Sequence, residues 1–168
     1  MVDMAILGLL CDGPMHGYEL KHRLVDFGFW RISFGSVYPA LRRLEKAGHI
    51  HKRAGTTGRR KEYAITAEGK EHFQHTLTDE RSEVENSTAF RVRFALFRHL
   101  QPAARIRFLE RRRAVLGERA AEWQERLRET AGRIDRYTQS LMEHGVSTNE
   151  ADIAWLDDLI EAERRAAS

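Results

Sequence analysis

Apolar positions recur along this chain in patterns that change from one segment to the next. Between Ser33 and Ile50 it reads SFGSVYPALRRLEKAGHI, with Val37, Leu41 and Leu44 four and three residues apart. That spacing puts the three on one face of a helix and leaves Ser36, Arg42, Arg43 and Lys46 on the other. A serine hydroxyl can accept from an orphan backbone N–H, so Ser33 and Ser36 are both candidate caps. Pro39 bears on the choice, being tolerated in a first turn and costlier further in. Gly48 supplies the stop. The pattern predicts a short helix with one apolar face and one hydroxyl-rich, cationic face.

Upstream, MVDMAILGLLC is strongly apolar and reads as a buried helix, broken by Asp12-Gly13-Pro14. His16 to Phe27 follows as a second helix. Tyr18, Leu20, Leu24 and Val25 supply its inner face, Lys21, His22 and Arg23 lie mostly outside, and Gly28 ends it. Trp30 and Ile32 are expected to tuck under the next helix. Downstream, Ile50 to Arg53 and Glu62 to Thr66 flank AGTTGRRK. The flanks are strand-like and Gly55 and Gly58 bracket a turn, which predicts a β-hairpin with Arg59, Arg60 and Lys61 at its tip. Helix, helix, helix, hairpin within about sixty-five residues is the winged helix-turn-helix order. Thr66 is the expected cap of a fourth helix to about Leu77, with Glu68 and Glu71 near its positive end.

Thr78 to Ser87 is acidic, has no apolar period and reads as a linker. Beyond it Phe90, Phe94, Phe97 and Leu100 form a stripe, and Pro102 opens a longer helix. From Ile106 a heptad runs through Ile106, Arg113, Ala120, Leu127, Ile134 and Leu141, and through Leu109, Leu116, Trp123, Thr130 and Tyr137. Nine of these eleven positions are apolar or aromatic, which predicts one coiled-coil-like helix ending at Gly145. Forty such residues would span roughly 60 Å, and their seam needs a partner. A last helix, from about Asn149 to Arg165, carries Ile153, Trp155, Leu156, Leu159 and Ile160. The expected fold is mainly α with a small β-hairpin: a winged helix-turn-helix over 1–77, a linker over 78–87 and a helical dimerisation domain over 88–168. The candidate dimer interface comprises Phe94, Phe97, Leu109, Leu116, Trp123, Leu127, Ile134, Tyr137, Leu141, Trp155 and Leu156.

Charge sharpens this picture. The 168 residues carry a net +3, and 42% are hydrophobic, enough for a real core. From Arg31 to Lys61 nine Lys/Arg stand against Glu45 alone, a net +8, so the remainder carries −5. A positive field concentrated in one segment points to a polyanion, here double-stranded DNA. The single cysteine, Cys11, excludes an internal disulfide and a cysteine zinc cluster, and reads as a small buried hydrophobe. No signal-peptide pattern and no membrane-length apolar stretch is present, so no membrane partner is expected and the expected location is cytoplasmic.

The candidate DNA-binding residues are Ser33, Ser36, Tyr38, Arg42, Arg43, Lys46, Arg53, Arg59, Arg60 and Lys61. Residues near the start of such a helix reach base edges, while arginines bind phosphate or guanine, and the wing tip suits phosphate or the minor groove. Plainer readings stand beside these: Arg42 and Arg43 solvating an ordinary helix, Tyr38 in the core, the wing a basic turn. Phe90, Phe94, Phe97, Trp123 and Trp155 are a candidate pocket for a small aromatic effector, or simply interface core. His49 and His51, with His72 and His75 one helical turn apart, raise a regulatory metal site, but no cluster of recognised ligand spacing exists, so no metal and no cofactor is expected. No Ser–His–Asp order, phosphate loop or carboxylate pair stands out, so the chain does not read as an enzyme.

Three segments, LGLLCDGPMHGYEL, FGSVYPALRRLEKAGHI and GRRKEYAITAEGKE, together resemble the PadR family of bacterial transcriptional regulators. They span roughly residues 4–77, and the run from Gly35 to Glu45 is the most specific. In the C-terminal half, FALFRHLQPAARIRFLE and the segment around Trp155 and Leu156 are similar to the longer-tailed type. The resemblance implies a homodimer joined by C-terminal helices, two winged domains on a palindromic site, and repression relieved by an effector: phenolic acids in some members, multidrug-type compounds in others. Thr57-Gly58-Arg59-Arg60-Lys61 lacks the proline of the family's frequent Gly-Arg-Pro-Arg-Lys, which implies a more flexible wing. The rival readings are a winged module that docks a protein, against which the +8 segment argues, and a metal-responsive regulator using the histidines.

Overall fold

The computed structural model describes residues 1–27, 29, 33–53, 61–79 and 87–167. Gly28, Trp30, Ile32, the wing residues Gly55, Gly58, Arg59 and Arg60, and most of the expected linker lie outside the described residues. The chain divides into two compact units, Met1–Leu100 and Gln101–Ser168.

In the first unit α1 (Val2–Cys11) is the central element. Its run from Met4 to Leu10 is buried throughout, as an apolar helix without a polar face must be. Around it stand β1 (Met15–His16), α2 (Gly17–Asp26), α3 (Phe34–Lys46), β2 (Ile50–Lys52), β3 (Glu62–Ile65) and α4 (Ala67–Thr78). The expected hairpin forms, with Ile50 opposite Ile65 and Lys52 opposite Tyr63 in an antiparallel register. A third strand was not expected: β1 pairs Met15 with Tyr63 and His16 with Glu62, making the order β1-β3-β2. Two residues after Pro14 are too few to show a period of two. Leu20 and Leu24 of α2 are buried as expected, but Tyr18 is not on the inner face: it is 60% exposed.

The unit does not end at Leu77. Here α5 (Ser87–Ala95) and a single 3-10 turn (Phe97–His99) complete it. Leu96 packs where a side chain on Gly8 would be, the Arg93 guanidinium donates to the Thr76 and Asp79 carbonyls at the end of α4, and Arg98 pairs with Asp12. The Phe90, Phe94 and Phe97 stripe is therefore split between a helix and a turn. Its rings run in series at 5.8 and 4.9 Å between centroids.

The second unit is a helix pair and not one long helix. α6 (Pro102–Thr130) breaks at Gly132, whose φ of +73° suits glycine, and α7 (Arg136–Ala167) returns antiparallel to it. Asp135 caps the return: its carboxylate accepts from the Tyr137 and Thr138 amides at 2.8 and 3.1 Å and from the Thr138 hydroxyl at 2.6 Å. Those bonds, the Thr138 hydroxyl first, hold the Asp135 carboxyl below its ordinary value. Ion pairs Arg105–Glu163, Arg113–Asp157 and Arg164–Glu110 align the helices. The heptad seam thus finds its partner within the chain, and Leu109, Leu116, Ala120, Leu156 and Ile160 are buried there. Gly145 does not stop a helix. It lies inside α7 facing Trp123, whose ring a β-carbon would meet at 2.8 Å.

Candidate nucleic-acid interface

The interface is built on α3. Val37, Ala40, Leu41 and Leu44 are buried, and Ser36, Arg42, Arg43 and Lys46 lie exposed on the opposite face, as the spacing predicts. Ser33 takes the N-cap position without a side-chain cap bond; its hydroxyl lies 3.5 Å from that of Ser36. The helix therefore starts earlier than Pro39 alone would suggest, and Pro39 falls in its second turn. The cost is the Gly35 carbonyl, which loses its partner four residues on but sits at the exposed end of the helix.

The far end of α3 is fastened. The Gly48 amide donates to the Glu45 carbonyl at 3.0 Å and the His49 amide to Leu44 at 2.9 Å, with Gly48 at φ +76°. This is the Schellman closure that a left-handed glycine permits. Thr66 then joins α3 to α4: its hydroxyl donates to the Gly48 carbonyl at 2.7 Å and accepts from the Gly69 amide at 2.9 Å. These bonds tie the end of α3 to the start of α4.

The cations differ in their engagement. Arg42 and Lys46 are exposed and form no ion pair among the described residues. Arg43 is tied to Asp3 of α1 at 2.7 Å, and Arg53 to Glu62 at 2.9 Å. Lys52 meets Glu45 at 2.6 Å, a hydrogen bond that raises the ammonium pKa. Lys61 is exposed at the start of the returning strand. Tyr38 is half-buried, with its ring over Gly17, between the groove-facing and core readings. Two rings beside it are not among the residues the sequence offers for this face: Phe34, the first residue of α3, and Tyr18 on α2, expected in the core. The signal was available, since Phe34 precedes Tyr38 by four residues and Leu41 by seven, along the edge of the buried stripe.

The other candidate residues belong to both units. Phe90 and Phe97 are buried and Phe94 is half-buried in the first unit; Trp123, Leu127 and Ile134 are half-buried in the second. Tyr137, Leu141 and Trp155 stand on α7 at 72%, 66% and 44% exposure. The His49 and His72 rings stack face to face at 4.2 Å and 15°, an arrangement that does not converge their nitrogens on one ion. Among the described residues no group of three His, Cys, Asp or Glu is placed to hold a metal. Cys11 is half-buried, and burial pushes its thiol pKa up. No described helix is long and apolar enough to cross a membrane.

Residues 6–75 match the model of the transcriptional regulator PadR-like family, and residues 88–163 match that of the virulence activator alpha C-terminal domain. The chain is similar to the negative transcriptional regulator PadR of Bacillus subtilis, 33% identical over 82 residues, 46% of this chain and 45% of that protein. It is also similar to an uncharacterized 37.1 kDa protein of a Streptomyces fradiae transposon, 35% identical over 69 residues, 41% of this chain and 20% of that protein. The matches thus span less than half the length of either relative. Among solved structures, a transcriptional regulator from Clostridium thermocellum is 36% identical, with 45% of this chain and 75% of that one covered at a TM-score of 0.40.

Proposed function

We propose that the chain is a PadR-like transcriptional regulator that binds a palindromic DNA operator as a homodimer and represses the adjoining genes. A member of that family is a regulator and not an enzyme. The observation that carries the DNA reading is α3 itself: a buried apolar face, a fastened end, and an outer face bearing Ser36, Arg42, Arg43 and Lys46. Such a helix fits the major groove, with its first turn toward base edges and its cations toward phosphates. Ser33, Ser36, Tyr38, Arg53, Arg59, Arg60 and Lys61 complete the proposed contact set.

The second copy is assigned to the helix pair. Tyr137, Leu141 and Trp155 stay exposed on α7 after the pair has closed on itself, and large apolar side chains in that number favour a partner surface. Two linked winged units can grip two inverted half-sites together only at one spacing, which is what a palindrome requires. Repression is supported by the relative described as a negative regulator. Release by a small aromatic effector belongs to the same reading, with the Phe90, Phe94 and Phe97 rings as its wall, and the protein acts in the cytoplasm.

The test starts from the full chain and a pool of random duplexes. Retained sequences should carry two inverted half-sites, and sedimentation should show two chains per duplex. One chain per duplex, or no enrichment, contradicts the reading. A reporter placed under the retained site should fall in output when the chain is expressed, and a rise would make the chain an activator.

A further inference from the structure

Two exposed aromatic rings flank the first turn of α3. Phe34 opens that helix at 37% exposure, and Tyr18 stands on the first turn of α2. Single exposed rings are ordinary on a soluble protein, but these are held in series. Tyr18 and Phe34 stack with centroids 6.0 Å apart at 26°, and Phe34 and Tyr38 continue the stack at 5.9 Å and 28°. Its inner end rests on backbone, because Gly17 has no β-carbon to lift the Tyr38 ring; one built there would meet it at 3.2 Å. Lys21 Nζ lies 4.2 Å from the Phe34 ring centroid, and His22 packs on Tyr18 at 4.4 Å. The two helices of the helix-turn-helix pair thus share a preformed apolar shelf at the edge of the cationic face.

With α3 in the major groove, the reading on which this inference rests, the shelf meets base edges. Those edges are polar, and the one apolar group they present is the 5-methyl of thymine. A stack of rings offers that surface little hydrogen bonding and a good apolar contact. Rings already ordered by their neighbours also lose little freedom when a base meets them. We propose that Phe34 and Tyr18 read the 5-methyl group of thymine in each half-site, making this pair a specificity determinant distinct from the serine and arginine contacts of α3.

The test uses the duplex that the full chain itself retains from a random pool. Each thymine of one half-site is replaced in turn by deoxyuridine, which removes the methyl and leaves the hydrogen-bonding edge unchanged. Affinity of the parent chain should fall roughly fourfold at one or two positions, the worth of one buried methyl. Phe34→Ala and Tyr18→Ala should then be tested on the thymine and uracil duplexes, with thermal melts confirming that both fold. Loss of the uracil penalty in either variant supports the assignment, and its survival in both overturns it. The parent-chain scan needs no variant: a retained duplex that tolerates uracil at every thymine overturns the thymine reading alone. If the parent chain retains no duplex at all, the DNA reading beneath it fails.

Discussion

Gly69 of α4 lies so close to the His49 carbonyl that a β-carbon at Gly69 would overlap that oxygen. The contact is backbone against backbone, so no side-chain rotation can relieve it. It sits beside the Thr66 bridge that fastens the end of α3. Gly69→Ala should therefore cost on the order of 3 kcal/mol in stability, at the upper end for overpacking, despite alanine's better helix propensity. Denaturant unfolding checks this, with no loss of stability as the contrary result.

The Asp3–Arg43 pair yields a prediction on DNA affinity. Asp3 places a negative charge on the face that α3 would turn to phosphate, and holds Arg43 at 2.7 Å. As an exposed pair it adds little stability, ~0.2–1 kcal/mol. Asp3→Ala should leave the melt nearly unchanged while tightening binding to random-sequence duplex and steepening its salt dependence. Anisotropy titrations at several salt concentrations would show it.

How much of the fold and the interface was legible in the sequence depends on the range of the interaction. The outer face of α3, the Gly48 stop and the Thr66 cap are local, set by residues within a few positions of one another, and the β2–β3 hairpin shows in its strand-like flanks and Gly-bracketed turn; all were readable. The helix pair was misread because the heptad continues in phase across the turn: Ile134, Tyr137 and Leu141 extend it although Gly132 and Asp135 end one helix and cap the next. Those two residues carried the signal and were outvoted by periodicity. The placement of α5 with the first unit was not readable, since Leu96 against Gly8 and Arg98 against Asp12 join residues more than eighty positions apart. Tyr18 was assigned inward beside Leu20 and Leu24, but a residue two positions before Leu20 lies roughly 200° round the helix from it, so when Leu20 and Leu24 are buried Tyr18 faces out.

The extent of the first unit is testable by truncation. A fragment of residues 1–100 keeps Leu96 over Gly8 and Arg93 on the end of α4. A fragment of residues 1–77 loses both, together with the His99 ring that packs edge-on against buried Phe73. Losing side chains of that size from the core should cost several kcal/mol, at roughly 1.5–3 kcal/mol for each fully buried one. The longer fragment should melt cooperatively and higher, and equal melting would place the boundary at Leu77. Both should be monomeric if the helix pair makes the dimer.

Stability should also depend on pH through His99. Its Nε2 is buried without a hydrogen-bond partner among the described residues, 3.7 Å from an Asp12 oxygen. Burial foremost, then Arg98, lowers the imidazole pKa, against the opposing pull of Asp12 and a bond to the Gly8 backbone. The unfolded histidine titrates near ~6.5 and so binds a proton at a pH where the folded one does not. Stability is therefore full above that value and declines as pH falls from it toward the folded pKa. His72 is shifted the same way, by burial and by His49. Melting temperature should drop between pH 7 and pH 5, and His99→Gln should flatten that drop. An unchanged pH profile in the variant would rule His99 out as its source.

The central claim, that the outer face of α3 lies on DNA phosphates, is tested most directly by the salt dependence of operator binding. Arg42 and Lys46 are exposed on that face and make no ion pair among the described residues. Each phosphate contact contributes about one unit to the slope of log affinity against log salt. The full chain should give a steep linear plot on its retained duplex. Arg42→Ala and Lys46→Ala should each flatten it by about one unit, with melts unchanged. Slopes equal to the parent's in both variants would contradict the claim and take α3 off the duplex.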